Sequence, residues 1–339
     1  MVKVAISWNG AKNKKSDFSL VARFVPPGIE QSIAGGILSI NIIGSDGVGV
    51  PQASVHITNS NVSPAVDITV ETDDSGNIML PGAKESSLGY HMQVSKDGYE
   101  TVETIEEGSV TYSVIDVPAS VVEGMLNVKT IVQDEIADLT FRTIDNYGAT
   151  VEGVDFDLSG GRILGHDMLS SPAEPVYDVE DTYQTDSNGE EKIEGTSPGE
   201  FFVSGIAVPE GYTLIGMDNF DSFDHLAGKY RFVVAPGEDR LNNISLADNS
   251  LNSILVKVSD SADGRRLDGA TVTLSNADGY SAAIVTLPDG TAYFSSGDAT
   301  PLAPGAYSLK VEMENYQEHE TEVEIVEGLV EQQVGLTLN

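Results

Sequence analysis

The stretch that decides the fold is residues 267–274, LDGATVTL, in which apolar and polar side chains alternate after an Asp-Gly turn. A second turn and strand follow at 287–294, LPDGTAYF, and a third at 304–311, PGAYSLKV. Alternation with a period of two turns one face of a strand toward a core, and glycine and Asx residues supply the turns. This succession predicts a small antiparallel β-sandwich at the C-terminal end of the chain.

The same order of strands and turns occurs twice more upstream. The first copy contains 50–57, VPQASVHI, and 72–80, TDDSGNIML; the middle copy contains 151–158, VEGVDFDL, and 185–190, TDSNGE. Internal similarity of this kind is typical of tandem domains. The sequence therefore predicts an all-β chain of three tandem Ig-like or prealbumin-like antiparallel β-sandwich domains in a semi-extended array.

Domain boundaries are expected in the turn-rich segments near 120–125 and 248–252. The N-terminal segment reads as a β-strand from its second residue, which suggests a processed or truncated chain. We expect an N-terminal strand segment left from an upstream region at 1–30, a first sandwich at 31–122, a middle sandwich at 123–248 and a third at 249–339.

The middle copy is longer than the other two because of two insertions. The first insertion covers roughly residues 160–181, and the second covers roughly residues 216–229. Loops carried on a rigid sandwich are the usual place for recognition. The two insertions are therefore the predicted contact surface of the protein.

Composition excludes several functional classes. The 339 residues include no cysteine, which argues against a disulfide scaffold and against cysteine catalysis. The net charge is −35, although residues 1–30 carry a net charge of +3. A strongly negative field repels nucleic acid and anionic membranes, so we expect neither as a partner. We find no apolar run long enough to span a bilayer and expect no membrane insertion.

Three motifs of the third copy resemble those of a known domain family. LDGATV at 267–272, DGTAYF at 289–294 and PGAYSL at 304–309 are similar to the carboxypeptidase regulatory-like domain, a prealbumin-like β-sandwich. The family's Gly-Tyr pair is present in the first copy as 98–99, whereas the third copy has Asn315 before its tyrosine. The resemblance implies a non-catalytic domain that accompanies secreted and surface proteins.

A second resemblance covers most of the chain. VKVAISW at 2–8, PGIE at 27–30, VPQASVHITN at 50–59 and TDDSGNIMLPGA at 72–83 occur in an order similar to that in ectodomains of prepilin-type surface proteins of candidate-phyla (Patescibacteria) bacteria. The resemblance implies a cell-surface location with an anchoring region outside this chain. It also implies partners of two kinds, namely a protein or glycan on another cell or surface, or sister subunits of an appendage.

The third copy also resembles the B-type modules of Gram-positive pilins and adhesins. Such modules join a first-strand lysine to a last-strand asparagine by an isopeptide bond that a buried carboxylate promotes. Lys257 and Asn339 would be the partners here, but Val311 stands where the acid is expected. The neighbouring Glu312 would face the opposite side of its strand by alternation. The sequence therefore argues against this bond.

No catalytic motif emerges from the sequence. The five histidines lack metal-ligand spacing, and no nucleophile elbow, phosphate loop or nucleotide fingerprint is present. We therefore predict no enzyme activity and no catalytic, cofactor-binding or metal residues. Calcium is the one cofactor considered, because carboxylates in a loop can supply its oxygen ligands. The candidates are Asp218, Asp221 and Asp224 in the second insertion, with a solvated loop as the alternative, and the turn residues Asp73, Asp74, Asp186 and Asn188.

The leading functional interpretation is a non-enzymatic, extracellular, pilin-like surface ectodomain that acts in adhesion or as a structural spacer. One alternative is a carbohydrate-binding module, but the single Trp8 and the scattered tyrosines offer no obvious stacking platform. Another is an accessory module of a secreted hydrolase. The two alternatives differ from the leading interpretation in predicting a sugar ligand or an adjoining catalytic domain.

Overall fold

The computed structural model describes residues 2–9, 15–22, 35–295 and 302–339. These residues form 27 β-strands and contain no helix. Accordingly, no helix in these ranges has the length and apolar character needed to cross a bilayer. The predicted all-β architecture of tandem β-sandwiches is confirmed.

The N-terminal segment forms a two-stranded hairpin. Strand β1 (Val2–Asn9) pairs antiparallel with β2 (Lys15–Ala22), with Val2 opposite Ala22 and Asn9 opposite Lys15. Its origin as part of an upstream region stays a prediction.

The first sandwich follows the hairpin. One sheet has the order β11-β3-β6, and the facing sheet has the order β10-β7-β4-β5 with β8 added to β7. Its strands are β3 (Gly36–Ile43), β4 (Ser54–Asn59), β5 (Val66–Glu71), β6 (Asn77–Ala83), β7 (Ser86–Ser95), β8 (Val102–Glu103), β10 (Ala119–Val121) and β11 (Leu126–Val132). The short strand β9 (Ser113–Val114) lies between β8 and β10 in the sequence but pairs outside this sandwich.

The middle sandwich is the largest of the three. It pairs a sheet of order β15-β12-β20-β17 with one of order β14-β13-β16-β19-β18. Its strands are β12 (Ala137–Asp145), β13 (Asp155–Asp167), β14 (Glu174–Gln184), β15 (Glu190–Thr196), β16 (Gly199–Ala207), β17 (Tyr212–Met217), β18 (Ser222–Asp224), β19 (Lys229–Val234) and β20 (Asp239–Asp248).

The third sandwich is the plainest. It pairs a sheet of order β24-β21-β27 with one of order β23-β22-β25-β26. Its strands are β21 (Ser253–Asp260), β22 (Thr271–Ser275), β23 (Ser281–Val285), β24 (Thr291–Phe294), β25 (Gly305–Glu312), β26 (His319–Ile325) and β27 (Leu329–Leu336).

The first and last strands of each sandwich lie side by side and run parallel. β11 pairs in this way with β3, β20 with β12 and β27 with β21, whereas the sequence predicted antiparallel sandwiches throughout. A chain that enters on one strand and leaves on a parallel neighbour emerges at the opposite end of the domain. This topology therefore allows the copies to follow one another end to end.

The boundary between the first and middle sandwiches differs from the sequence-based one. The expected boundary places residues 126–132 in the middle domain, whereas they form β11, the last strand of the first sandwich. A strand of alternating apolar and polar residues next to a turn is compatible with either neighbouring domain. Only the pairing of β11 with β3 assigns it to the first sandwich. The connection is thus residues 133–136, and the corresponding connection between β20 and β21 is residues 249–252.

Each sandwich has its own hydrophobic core. In the middle sandwich the rings of Phe141 and Phe156 lie 4.6 Å apart, and those of Phe201 and Phe232 stack at 5.8 Å. The other two cores consist mainly of Leu, Ile and Val from facing strands, with one buried tyrosine each, Tyr90 and Tyr307. Separate cores of this size are expected to fold as separate domains.

A buried threonine recurs at the same place in all three sandwiches. In the third, the Thr286 hydroxyl donates to the Leu267 carbonyl at 2.6 Å and accepts from the Ala270 N–H at 2.9 Å. These bonds satisfy backbone groups that would otherwise be buried without partners. The recurring motifs around 267–272 are therefore explained by folding. The equivalent residues are Thr72 with Val50 and Ala53, and Thr185 with Val154.

Asn315, which departs from the Gly-Tyr pattern, adopts the backbone conformation of the glycine that it replaces. Its φ is 69°, and asparagine tolerates this left-handed region better than other side chains. The Asn315 carbonyl accepts the Asn339 N–H at 2.9 Å, which ties down the end of the sandwich. Equivalent hydrogen bonds occur in the other two sandwiches, where the Ile136 N–H donates to the Gly98 carbonyl at 3.0 Å and the Asn249 N–H donates to the Gly211 carbonyl at 2.8 Å.

Candidate functional site at the domain junctions

The first insertion contacts the first sandwich. Strand β13 continues past the end of its pairing with β16, and Gly165 and His166 then pair with Val114 and Ser113 of β9. A Cβ atom on Gly165 would lie 2.1 Å from the Ser113 carbonyl oxygen, so the two backbones fit closely only because this residue is glycine. The insertion thus adds residues of the first sandwich to a sheet of the middle sandwich.

Arg162 in this insertion binds two carboxylates of the first sandwich. Its Nη1 lies 2.7 Å from Glu100 Oε1, and its Nη2 lies 3.0 Å from Asp116 Oδ2. Lys129 Nζ contacts the other Asp116 oxygen at 3.2 Å. The side chains of Arg162 and Glu100 are only 16% and 5% exposed. These four residues form the Arg162 cluster, a mostly buried set of charge-assisted hydrogen bonds across the junction.

Asp178 fixes the backbone of Arg162. Its carboxylate accepts the Arg162 N–H at 2.8 Å and the Ser197 hydroxyl at 2.5 Å. Burial raises the pKa of Asp178, and the two hydrogen bonds oppose this shift. Asp178 lies in β14, the other strand of the insertion, so both strands help to hold Arg162 in place.

The connection between the first and middle sandwiches is itself hydrogen-bonded. The Glu100 N–H donates to the Asp134 carbonyl at 3.0 Å, and the Asp134 N–H donates to Glu100 Oε1 at 3.1 Å. Gln133 is fully buried, and its Nε2 donates to the Glu100 carbonyl at 2.8 Å. Because these backbone groups are hydrogen-bonded, the connection is held in one conformation and does not behave as a flexible linker.

The second insertion and the strand that follows it lie at the junction with the third sandwich, where a Cβ atom on Gly216 would lie 2.7 Å from Asp289 Oδ2. Tyr230, the second residue of β19, donates its hydroxyl to Asp289 Oδ2 of the third sandwich at 3.1 Å. Phe220 and Phe223 pack on the Tyr230 ring at centroid distances of 5.0 and 4.7 Å. The aromatic residues of the insertion therefore position the tyrosine that contacts the next domain.

Asp289 differs in position from the turn acids of the other copies. Asp73 and Asp186 each accept two N–H groups of their own turns, and the corresponding position in the third copy is Leu287. Asp289 stands two residues later, is 2% exposed and binds Thr291 through both its N–H and its hydroxyl. With the acid two residues later, its Oδ1 still accepts from its own turn, while its Oδ2 accepts from Tyr230 of the middle sandwich.

The outer side of the third sandwich is also covered at this junction. Leu255 alternates with the core residues Ile254 and Val256, yet it is completely buried without belonging to that core. Tyr293 lies opposite it on β24, and β24 contacts β17 of the middle sandwich. Burial raises the pKa of Tyr293 to about 12, and Tyr147 of the middle sandwich adds to the shift. The middle sandwich therefore covers this face.

The three carboxylates of the predicted calcium loop are not brought together around one point. Asp218 binds the Asn243 N–H and side chain, Asp221 accepts the Val233 N–H, and Asp224 caps the turn that follows it. No group of three or more acidic or histidine side chains in the described ranges could hold a metal. Calcium binding by this loop stays a prediction.

Lys257 and Asn339, the pair that would correspond to the isopeptide partners of B-type modules, lie far apart in the strand register. Lys257 is in register with Gln333, six residues before Asn339, which corresponds to about 20 Å along a strand. Lys257 Nζ instead pairs with Glu331 at 2.7 Å. Val311 is fully buried and Glu312 is exposed, as the alternation predicted.

A pH-dependence is expected at the second junction. Burial raises the pKa of Asp289 above its ordinary value, so the folded junction favours the protonated acid. The resulting stabilisation is present at low pH and is lost as the pH rises through the raised pKa. Asp289→Asn removes the titration, so the unfolding midpoint of this variant relative to that of the natural chain should rise as the pH is raised from about 4, the ordinary pKa of an aspartate, towards neutral. A difference that does not change across this range would contradict the assignment.

Comparison with known proteins yields structural neighbours only. No protein-family model and no curated protein matches the sequence. The TIE protein of Bacillus anthracis is 16% identical at a TM-score of 0.27, with 98% of this chain and 57% of that chain covered. A streptococcal ancillary pilin is 12% identical at a TM-score of 0.27, with 90% of this chain and 99% of that chain covered. BcpA, the major pilin subunit of Bacillus cereus, is 12% identical at a TM-score of 0.22, with 90% of this chain and 100% of that chain covered.

The chain therefore spans little more than half the length of the TIE protein. TM-scores of this size do not indicate a common arrangement of whole chains. The strand pairing described above defines the architecture of this chain.

Proposed function

We propose that this chain is a non-enzymatic, extracellular surface ectodomain that works as a structural spacer. The observation that carries the proposal is that both insertions of the middle sandwich contact a neighbouring sandwich. A recognition loop is expected to project into solvent, whereas most of the first insertion pairs with the first sandwich or with its own partner strand. Tandem domains with hydrogen-bonded junctions hold their ends at a fixed separation, which is what a spacer requires.

A contact role fits the exposed parts of the same insertions. The turn between β13 and β14 presents Leu169, which is 92% exposed, beside Met168. The turn after β18 presents Leu226, which is 87% exposed. We propose these two turns as the points that touch a protein or glycan on another surface, or sister subunits of a pilin-like appendage. Single exposed apolar residues of this kind bind weakly, so adhesion would depend on many copies.

Surface display tests the proposal. Intact cells of the source organism are treated with a protease that does not enter them, and the chain is followed with an antibody to the third sandwich. The expected result is loss of the signal without lysis, while a cytoplasmic marker survives. Protection of the chain until the cells are lysed would overturn the extracellular assignment, and hydrolysis of a sugar or peptide by the purified chain would overturn the non-enzymatic one.

A further inference from the structure

The third sandwich presents an unpaired sheet edge at β23. This strand is outermost in the sheet β23-β22-β25-β26 and, within the described residues, pairs with β22 alone. The Thr286 N–H, directly after β23, donates to the Ala270 carbonyl at 2.8 Å, and bonds of this kind involve every second residue of an antiparallel pair. The alternate residues, Ser281, Ala283 and Val285, therefore direct their N–H and carbonyl groups away from β22. We call the backbone groups of these three residues the open edge.

The equivalent edges of the other two sandwiches are blocked by acidic side chains. Counting back from the recurring threonine in the same way, the outward positions of β5 in the first sandwich are Asp67, Thr69 and Glu71. In the middle sandwich the corresponding strand is β14, where the Asp181 carboxylate already accepts the outward N–H of Thr182 at 2.8 Å. Charged side chains along an edge hinder its pairing with another strand. The first and middle sandwiches are thus protected at this edge.

The sequence around β23 carries no such protection. Residues 279–288 contain no charged side chain, although the 339 residues of the chain include 18 basic and 53 acidic ones. The register of β23 with β22 has no bulge, and the strand contains no proline. On its two faces, Val285 is 56% exposed and Ile284 is only partly buried against the core of the third sandwich. A flat and uncharged edge of this kind is a template for pairing with another strand.

We propose that β23 pairs antiparallel with β23 of a second copy of this chain, around a two-fold axis at Ala283. This register sets Ser281 opposite Val285 of the partner subunit and Ala283 opposite its own counterpart. All residues of the open edge then belong to hydrogen-bonded pairs, each of which exchanges two bonds, so the two strands share about six hydrogen bonds. On the inner face, Ala282 meets the partner subunit's Ile284, which extends the core across one continuous sheet.

Self-complementarity and charge favour a second copy as the occupant. Each position of the open edge meets a small or apolar side chain in the two-fold register, so two chains of net charge −35 approach here without placing carboxylates face to face. The same register at β5 would set Asp67 opposite Glu71 twice, and like charges directly opposite one another destabilise a strand pair. The pairing joins two chains side by side through their third sandwiches, and it is separate from the contacts proposed for the two exposed turns.

Sedimentation equilibrium of the full chain tests the pairing. An interface made by one strand pair is small, so we expect a weak dimer whose average mass approaches twice that of one chain at about 1 mM. Ala283→Lys and Ala283→Glu each place two like charges opposite one another on the two-fold axis, so each variant alone should remain monomeric. An equimolar mixture of the two variants should dimerise again, because lysine then lies opposite glutamate.

Hydrogen exchange and a matched control make the test specific. The amides of the open edge should gain protection only at concentrations where the natural chain dimerises. Thr69→Lys introduces a charge at the equivalent position of β5 and should leave the dimer unchanged. The side chain of Ala283 is exposed, so neither substitution there should change the unfolding midpoint of the third sandwich.

Four results would overturn the proposal. The first is a natural chain that stays monomeric over the whole concentration range, and the second is a dimer that neither Ala283 substitution disrupts. The third is a mixture of the two folded variants that stays monomeric, because residue 283 would then not lie on the axis. The fourth is protection of the open edge in a dilute, monomeric sample, which would identify another segment of the same chain as the occupant.

Discussion

Replacing Arg162 with alanine is expected to release the first sandwich from the middle one. The substitution leaves Glu100 and Asp116 facing each other with one guanidinium fewer, and Glu100 has almost no access to water. Removing one partner of a buried ion pair costs about 3–5 kcal/mol, and we expect the lower end because Asp116 keeps Lys129. Hydrogen exchange at 113–116 and 164–166 should accelerate by the corresponding factor.

The matched control for this result is Arg142→Ala. Arg142 pairs with Glu190 inside the middle sandwich, and its side chain is 41% exposed. Exposed pairs contribute about 0–1 kcal/mol, so exchange at the first junction should not change. If Arg162→Ala and Arg142→Ala behaved alike, the Arg162 cluster would not be what holds the junction together.

Replacing Thr286 with valine is expected to destabilise the third sandwich with no change in its shape. Valine has the size of threonine but cannot form hydrogen bonds through its side chain. The Leu267 carbonyl and the Ala270 N–H are therefore left buried without partners. Each such group costs about 1–3 kcal/mol, and 1 kcal/mol shifts the melting temperature of a domain of this size by about 4–8 °C.

Thr273→Val is the control for the threonine prediction. Thr273 lies on the partly exposed side of β22, where valine suits a strand and no backbone group depends on the hydroxyl. Its melting temperature should stay close to that of the natural chain. Equal melting temperatures for Thr286→Val and Thr273→Val would mean that the recurring threonine has no structural role.

The sequence was enough to predict the three sandwiches because their strands alternate and their turns carry Asp, Asn and Gly. It did not predict that each last strand runs parallel to the first, since this pairing joins residues as distant as Ser253 and Leu329. For the same reason the expected boundary places β11 in the middle domain, whereas its pairing partner is β3. Asn315 departs from the Gly-Tyr pattern, and its φ of 69° shows that it preserves the glycine conformation.

The junctions were harder to predict than the fold. The length of the middle copy locates the two insertions and general experience of loops predicts recognition, but no feature of the sequence indicates which domain they contact. The sequence carries one signal for Arg162. It is one of only 18 basic residues in a chain with 53 acidic ones, and it follows two glycines inside an insertion. In such an acidic chain a cation could pair with many different carboxylates, and only the fold shows that the partners of Arg162 are Glu100 and Asp116.

Residual dipolar couplings of backbone amides test most directly whether the three sandwiches are rigidly coupled. Two domains that move together share one alignment tensor, whereas domains on flexible linkers align independently. We predict that couplings from residues 35–133, 137–248 and 253–339 fit a single tensor in the natural chain. In the Arg162→Ala variant, the couplings of the first sandwich should require a tensor different from the one that fits the other two sandwiches. Three tensors of different magnitude in the natural chain would contradict the account.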